Sequence, residues 1–192
     1  MKLFFYFAYT NFSNTYIVGP EEPGDALIID PGVMDIKLLE LIERNGYYIR
    51  YIILTHAHEG HAKGISTLLR IYDADIYSGK DKIMNIQSSI AKHGDILKLG
   101  DFTISVIGLP GHTSDSLAYK INDMIFTGDA LGAGTVGPTV HSYAHALNVQ
   151  SLNERILSLD EKLPIFPGHG PPTTVRAERA FNHYISEDFS AK

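Results

Sequence analysis

Between Thr55 and His61 the chain reads Thr-His-Ala-His-Glu-Gly-His, which places three of its nine histidines within six residues. His56 and His58, two apart on extended backbone, point to the same side and can share one cation, while His61 approaches from another direction. Imidazole is a common ligand for zinc and iron, and a catalytic metal needs about three protein ligands plus one open position for water. The competing reading is a solvated loop that happens to be rich in histidine. Three further segments put a ligand type just past an apolar run: Pro110-Gly111-His112-Thr113, Thr127-Gly128-Asp129 and Pro167-Gly168-His169-Gly170. Each has glycine beside the candidate ligand, which permits a tight turn and close backbone approach. Alone, His112 reads equally as a loop histidine and Asp129 as a turn or capping residue. Their repetition at strand ends points to a site built from loops on a rigid sheet.

The elements that must position these groups are legible in outline. Strands are expected at Leu3–Ala8, Thr15–Gly19 and Asp25–Asp30, the first two joined by a turn at Asn11-Phe12-Ser13-Asn14. A helix over Ile36–Glu43, with Ile36, Leu39 and Ile42 as its apolar face, stops at Asn45-Gly46. Tyr51–Leu54 reads as a strand buried on both faces. A helix near Ile65–Tyr72, a strand at Asp75–Tyr77 and a helix near Asp81–Ala91 follow. The second half opens with strands Ile96–Leu99 and Thr103–Gly108 around Gly100-Asp101, then Ser116–Ile121 and Met124–Thr127 around Asn122-Asp123. A helix at Leu152–Leu157, a strand at Pro164–Phe166 and a helix at Arg176–Ile185 close the chain. Strands and helices thus mix in two similar halves, which suggests two packed sheets with helices outside, in a single domain over residues 1–192.

Composition narrows the function classes. With 44% hydrophobic and 20% charged residues the chain is of ordinary globular type. A net charge of −6 without any Lys/Arg cluster argues against nucleic acid as partner. There is no cysteine, so disulfides, thiolate metal sites and a cysteine nucleophile are excluded, and any metal falls to His, Asp and Glu. No Gly-x-Ser-x-Gly elbow is present. No apolar run approaches the ~18–20 residues of a membrane span, and Met1–Tyr9 reads as a buried first strand rather than a leader. A cytoplasmic protein acting on a small molecule, away from membranes, is the expectation; the sequence does not set its oligomeric state.

The ordered set His56-x-His58-x-x-His61, His112, Asp129 and His169 resembles that of the metallo-β-lactamase-fold hydrolases, in their glyoxalase II-like branch. Asp30-Pro31-Gly32 and the tail Pro167-Gly168-His169-Gly170-Pro171-Pro172-Thr173-Thr174 match as well, so the likeness spans nearly the whole chain. The resemblance implies a four-layer αββα sandwich of α+β or α/β class, with the site along one edge. It implies that His56, His58 and His112 bind a first metal, that Asp129 bridges two, and that His61 and His169 bind the second. Catalysis would run through metal-bound water on Asp129, His56 and His58. Asp30 would orient a ligand histidine by fixing its tautomer; a plain strand-end turn is the alternative.

The pattern departs from the family at Gly60, where a metal-binding aspartate is usual. One anion fewer weakens the second site, so zinc is expected as one ion, or as two with the second weakly held; iron or manganese are the alternatives. Asp115 stands where the family often has glycine and reads as a residue tolerating a left-handed turn. Glyoxalase II has a tyrosine two residues after its last metal histidine, where this chain has Pro171, and a basic residue in the loop after the bridging aspartate, where Ala130–Val136 has none. Glutathione recognition is therefore not carried over. The reading is a metal-dependent hydrolase of a small ester, thioester or lactone, with phosphoesters disfavoured by the scarcity of Arg and Lys near the motifs. A mononuclear-iron dioxygenase of the persulfide type is the second reading, and an inactive metal-binding protein the third. His141, Tyr143 and His145 are candidates for the substrate pocket, with surface histidines as the alternative, and His93 and His183 read as structural or exposed.

Overall fold

Three apolar runs within the first thirty positions, Leu3–Ala8, Tyr16–Val18 and Ala26–Ile29, fold into a three-stranded antiparallel meander that founds the first of two six-stranded sheets. The structure is a computed structural model and describes residues 1–186. Two units divide the chain, one over residues 1–91 and one from residue 92 onward.

In the first unit β1 (Lys2–Ala8), β2 (Ser13–Gly19) and β3 (Gly24–Ile29) form the meander. Helix α1 (Ile36–Arg44) crosses to β4 (Tyr47–Ile53), which pairs parallel with β3. Short helices α2 (Glu59–Ala62) and α3 (Ile65–Leu68) lead to β5 (Asp75–Ser78), parallel to β4. The hairpin β6 (Lys82–Ile83) and β7 (Ile86–Gln87) precedes β8 (Ser89–Ile90), which completes the sheet in the order β1-β2-β3-β4-β5-β8. Leu38 and Ile42 of α1 pack with Ile28, Ile49, Ile52, Leu54 and Ile65 in one fully buried cluster.

Four expectations change here. β1 is an edge strand with Phe5 exposed, not a buried one. The buried face of α1 is Leu38 and Ile42, one turn apart, while Ile36 points to solvent. After α3 single helical turns run on to Tyr72 without forming the longer helix expected. No helix forms over 81–91, because Met84 (φ 48°) and Asn85 (φ 67°) are both left-handed, as a two-residue hairpin turn requires and a right-handed helix forbids.

In the second unit β9 (Ile96–Leu99) and β10 (Phe102–Gly108) turn at left-handed Gly100, and β11 (Leu117–Ile121) and β12 (Met124–Gly128) at left-handed Asn122. A small hairpin, β13 (Leu131–Gly132) and β14 (Thr135–Val136), precedes α4 (Ser142–Arg155). β15 (Pro164–Pro167) pairs parallel with β12, and β16 (Thr173–Thr174) pairs antiparallel with β15, giving the order β16-β15-β12-β11-β10-β9. Helices α5 (Val175–Phe181) and α6 (His183–Ser186) follow. Its own buried cluster includes Ala118, Ile125, Leu152, Ile156, Ile165 and Val175.

α4 starts far ahead of the expected Leu152, because it buries Asn148 and Ser151 beside Val149 and Leu152 and so lacks a clean apolar stripe. The expected closing helix is divided at Asn182, whose extended ψ of 102° interrupts it and whose Oδ1 accepts from the Tyr184 amide. Among the described residues no helix is long and apolar enough to cross a membrane.

Candidate metal centre

In the first unit the candidate ligands follow the C-terminal end of β4, where the chain leaves the sheet as Leu54-Thr55-His56-Ala57-His58 and turns into α2. His56 and His61 are buried and His58 is exposed. The organiser is Asp30, at the end of the neighbouring strand β3, 2% exposed and left-handed at φ 50°. Aspartate tolerates that conformation better than most residues because its short polar side chain bonds locally. Its Oδ1 accepts from the Thr55 amide at 2.8 Å, and its Oδ2 from the Thr55 hydroxyl at 2.6 Å and from His61 Nδ1 at 3.1 Å.

These contacts are all satisfied by one arrangement of the imidazole protons. A hydroxyl has one proton; with Thr55 giving it to Asp30, Thr55 Oγ1 accepts from His56 Nδ1–H at 3.1 Å. The His56 Nε2 lone pair then faces His58 Nδ1 at 3.0 Å. His61, donating through Nδ1, likewise keeps Nε2 as its basic nitrogen. One carboxylate thus sets the tautomers of two histidines, directly for His61 and through Thr55 for His56. Ligand atoms of Asp30, His56 and His61 lie within 4.8 Å of one another. Beside them, burial pushes the Tyr16 phenol well above its ordinary range; a hydrogen bond from Asn14 opposes this and the Asp30 charge reinforces it.

The second unit repeats the device. Gly111 (φ 142°) packs so tightly on α4 that a Cβ would fall 2.4 Å from that of Asn148, and this contact seats the His112 loop. His112 Nδ1–H donates to the Pro138 carbonyl at 2.7 Å, leaving Nε2 on the side of Asp129 Oδ2, 3.8 Å away. His169 Nδ1 lies 2.7 Å from Asp129 Oδ1. Asp129 therefore holds one oxygen toward each histidine. Gly137 closes over it, since a Cβ there would sit 1.9 Å from the Asp129 carbonyl oxygen. A cavity of about 300 Å³ opens beside Asp129 and His169, lined by Gly132, Thr135, Val136, Gly137 and Pro138.

Each unit gathers its own share of the candidates: Asp30, His56, His58 and His61 in the first, His112, Asp129 and His169 in the second. Of the pocket candidates, His141 caps α4, its Nδ1 accepting from the Ala144 amide at 3.0 Å. Tyr143 is 74% exposed, and the ring of His145 lies 6.4 Å from that of Tyr184. Asp115 is buried and is not among the left-handed residues. Sequence reasoning passed over Thr55 and the Pro138 carbonyl. Thr55 could have been found from its place between the buried strand and His56; a backbone carbonyl leaves no such signal.

The donors suit a divalent cation: neutral imidazoles with fixed tautomers and a carboxylate, without thiolate, fit zinc and iron alike. Comparison with known proteins agrees. The family described as the Metallo-beta-lactamase superfamily matches residues 8–93. Hydroxyacylglutathione hydrolase 1 of Vibrio vulnificus is 32% identical over 148 residues, covering 75% of this chain and 57% of that enzyme. The crystal structure of ETHE1 from Myxococcus xanthus is similar with a TM-score of 0.85 and 26% identity, covering 95% of this chain and 84% of that one. The structure of TTHA1623 in a di-iron-bound form is similar with a TM-score of 0.77 and 29% identity, covering 94% and 99%.

Proposed function

The chain belongs to the metallo-beta-lactamase superfamily and has its fold, and within that family we propose a metal-dependent hydrolase of small esters, thioesters or lactones. In this reading His56, His58 and His112 would hold the principal metal, Asp129 would serve both positions, and His61 and His169 would supply a second, weaker one. The observation that carries this reading is the Asp30 relay. A buried carboxylate that leaves Nε2 of both His56 and His61 unprotonated has no use in a solvated loop and is what a cation needs.

A bound divalent cation would supply Lewis acidity, lowering the pKa of its water to roughly 7 and polarising a carbonyl. The chain's own part is orientation and exclusion. Asp30 and Thr55 lock His56, Pro138 locks His112, and Asp129 faces both His112 and His169. The glycine-lined cavity beside Asp129 admits a modest acyl group and presents no cation to it.

Metal analysis of protein purified without chelator, paired with a thioester and lactone panel, tests the proposal. The expected result is bound zinc or iron and a hydrolytic activity that His56→Ala abolishes. Activity unchanged in His56→Ala would remove it from this site. A second reading, a single iron with an oxygen-dependent reaction, is favoured by Gly60, and the likeness to a di-iron-bound structure supports iron as the metal. Oxygen uptake without hydrolysis would select it.

A further inference from the structure

We infer that the β1–β2 turn, through Asn11 and Ser13, is a positioning device for the turn that carries His58 and His61. Three observations within the first unit carry this. The Gly60 carbonyl, between the two histidines, accepts from Asn11 Nδ2 and from Ser13 Oγ at 2.9 Å, across more than forty residues of chain. The opposite wall is Gly32, where a Cβ would lie 2.1 Å from that carbonyl oxygen and 2.6 Å from both donor atoms. Lastly, Phe12, between the two donors, is held left-handed at φ 55° and is 65% exposed.

A bulky residue in that region is a backbone outlier, and such strain persists only where surrounding contacts over-determine it. The phenyl is largely exposed, with the Phe7 ring 6.3 Å away. What the turn achieves is to bring the side chains of residues 11 and 13 onto one acceptor. α2 has four residues and cannot fix its own orientation, so two side-chain donors and a glycine wall do so from outside. The carbonyl lies between the two histidines, so a grip on it holds the turn without touching either imidazole. Asp30 sets the tautomer of His61, and the Asn11–Ser13 pair sets where its ring and that of His58 stand.

This inference rests on the proposal that these histidines hold a metal, and its test separates the two. Asn11→Asp preserves shape but turns a donor into an acceptor facing a carbonyl. It and the Asn11→Ala/Ser13→Ala pair are titrated with Zn²⁺ against a chromophoric chelator, and with Co²⁺ by visible absorption. Loss of a group that orients ligands costs metal affinity 10–100-fold. That loss is expected in both variants, with an altered Co²⁺ spectrum, while the metal-free proteins melt with the same cooperativity as the parent. Phe12→Gly, which relieves the backbone and keeps both donors, should melt higher and bind as the parent does. Parental affinity and spectrum in Asn11→Asp would overturn the inference and leave the metal site standing. A parent protein that takes up neither ion would overturn both.

Discussion

Asp30→Asn isolates the charge on which the relay depends. Asparagine tolerates the left-handed backbone at φ 50° as well as aspartate does, so no strain is added, and the shapes are the same. The carboxylate accepts three bonds: the Thr55 amide on Oδ1, the Thr55 hydroxyl and His61 Nδ1 on Oδ2. An amide has one oxygen. With that oxygen kept on the Thr55 amide, its NH₂ faces the other two groups; the hydroxyl can rotate and accept, but His61 must accept at Nδ1 and so carry its proton on Nε2. Flipped, the NH₂ meets the Thr55 N–H and leaves a buried donor unpaired. Hydrogen bonds to a charged group contribute about 1.5–3 kcal/mol each, and an orphaned buried donor costs about 1–3 kcal/mol. With Asp30 2% exposed there is no water to compensate, and a net loss of about 2–4 kcal/mol is expected. At roughly 2–4 °C per kcal/mol for a chain of this size, Tm should fall by about 5–15 °C. Urea unfolding gives the free energy, and long-range ¹H–¹⁵N spectra of the imidazoles give the tautomer of His61. A loss below about 0.5 kcal/mol, with the proton still on Nδ1, would refute the relay.

Gly60→Asp should be tolerated and should strengthen the second metal position. Gly60 is not left-handed, and a Cβ there meets Asn11 at 3.5 Å and 3.8 Å, ordinary contacts; the variant should stay within about 1 kcal/mol of the parent and retain more metal after dialysis, whereas two tightly held equivalents in the parent would sink the view that Gly60 weakens the site. Alkaline titration at 295 nm should leave Tyr16 and Tyr72 protonated past pH 10, burial raising both and a hydrogen bond to Glu43 adding to it for Tyr72. Because the folded values lie above the unfolded one, this stability is fully present below about pH 10 and is lost as pH rises further; all eleven tyrosines titrating together near 10 in folded protein would contradict it.

Candidate ligands were legible because metal chemistry restricts residue type, and glycine beside them marks the turns. The strands were legible because half-buried and fully buried runs differ in pattern, as β2 and β4 do from the loops around them. What stayed hidden followed from interactions with no local period. The expected helix at 81–91 gave way to left-handed Met84 and Asn85, a pair without the glycine that usually announces such a turn. α4 was shortened in expectation because its buried Asn148 serves a distant acceptor, the Ala130 carbonyl at 3.0 Å, and so disguised the buried face. Thr55 was passed over because a threonine next to histidine means nothing until Asp30, on another strand, claims its proton.

Gly60 brings these strands of reasoning to one residue. A glycine is usually required by a positive φ or by lack of space, and neither applies there, whereas Gly32 opposite it has no room at all. The fold therefore does not impose the missing carboxylate. It grips residue 60 by its carbonyl, a group every residue has, and a Cβ there would come no nearer to the gripping Asn11 than 3.5 Å. Orientation of the histidines and charge at the second metal position are thus separable here: the turn and the Asp30 relay secure the first, and position 60 sets the second. A chain built this way can lose one anion and keep its imidazoles aligned, which is why the proposed function takes one strongly held metal rather than a decayed site.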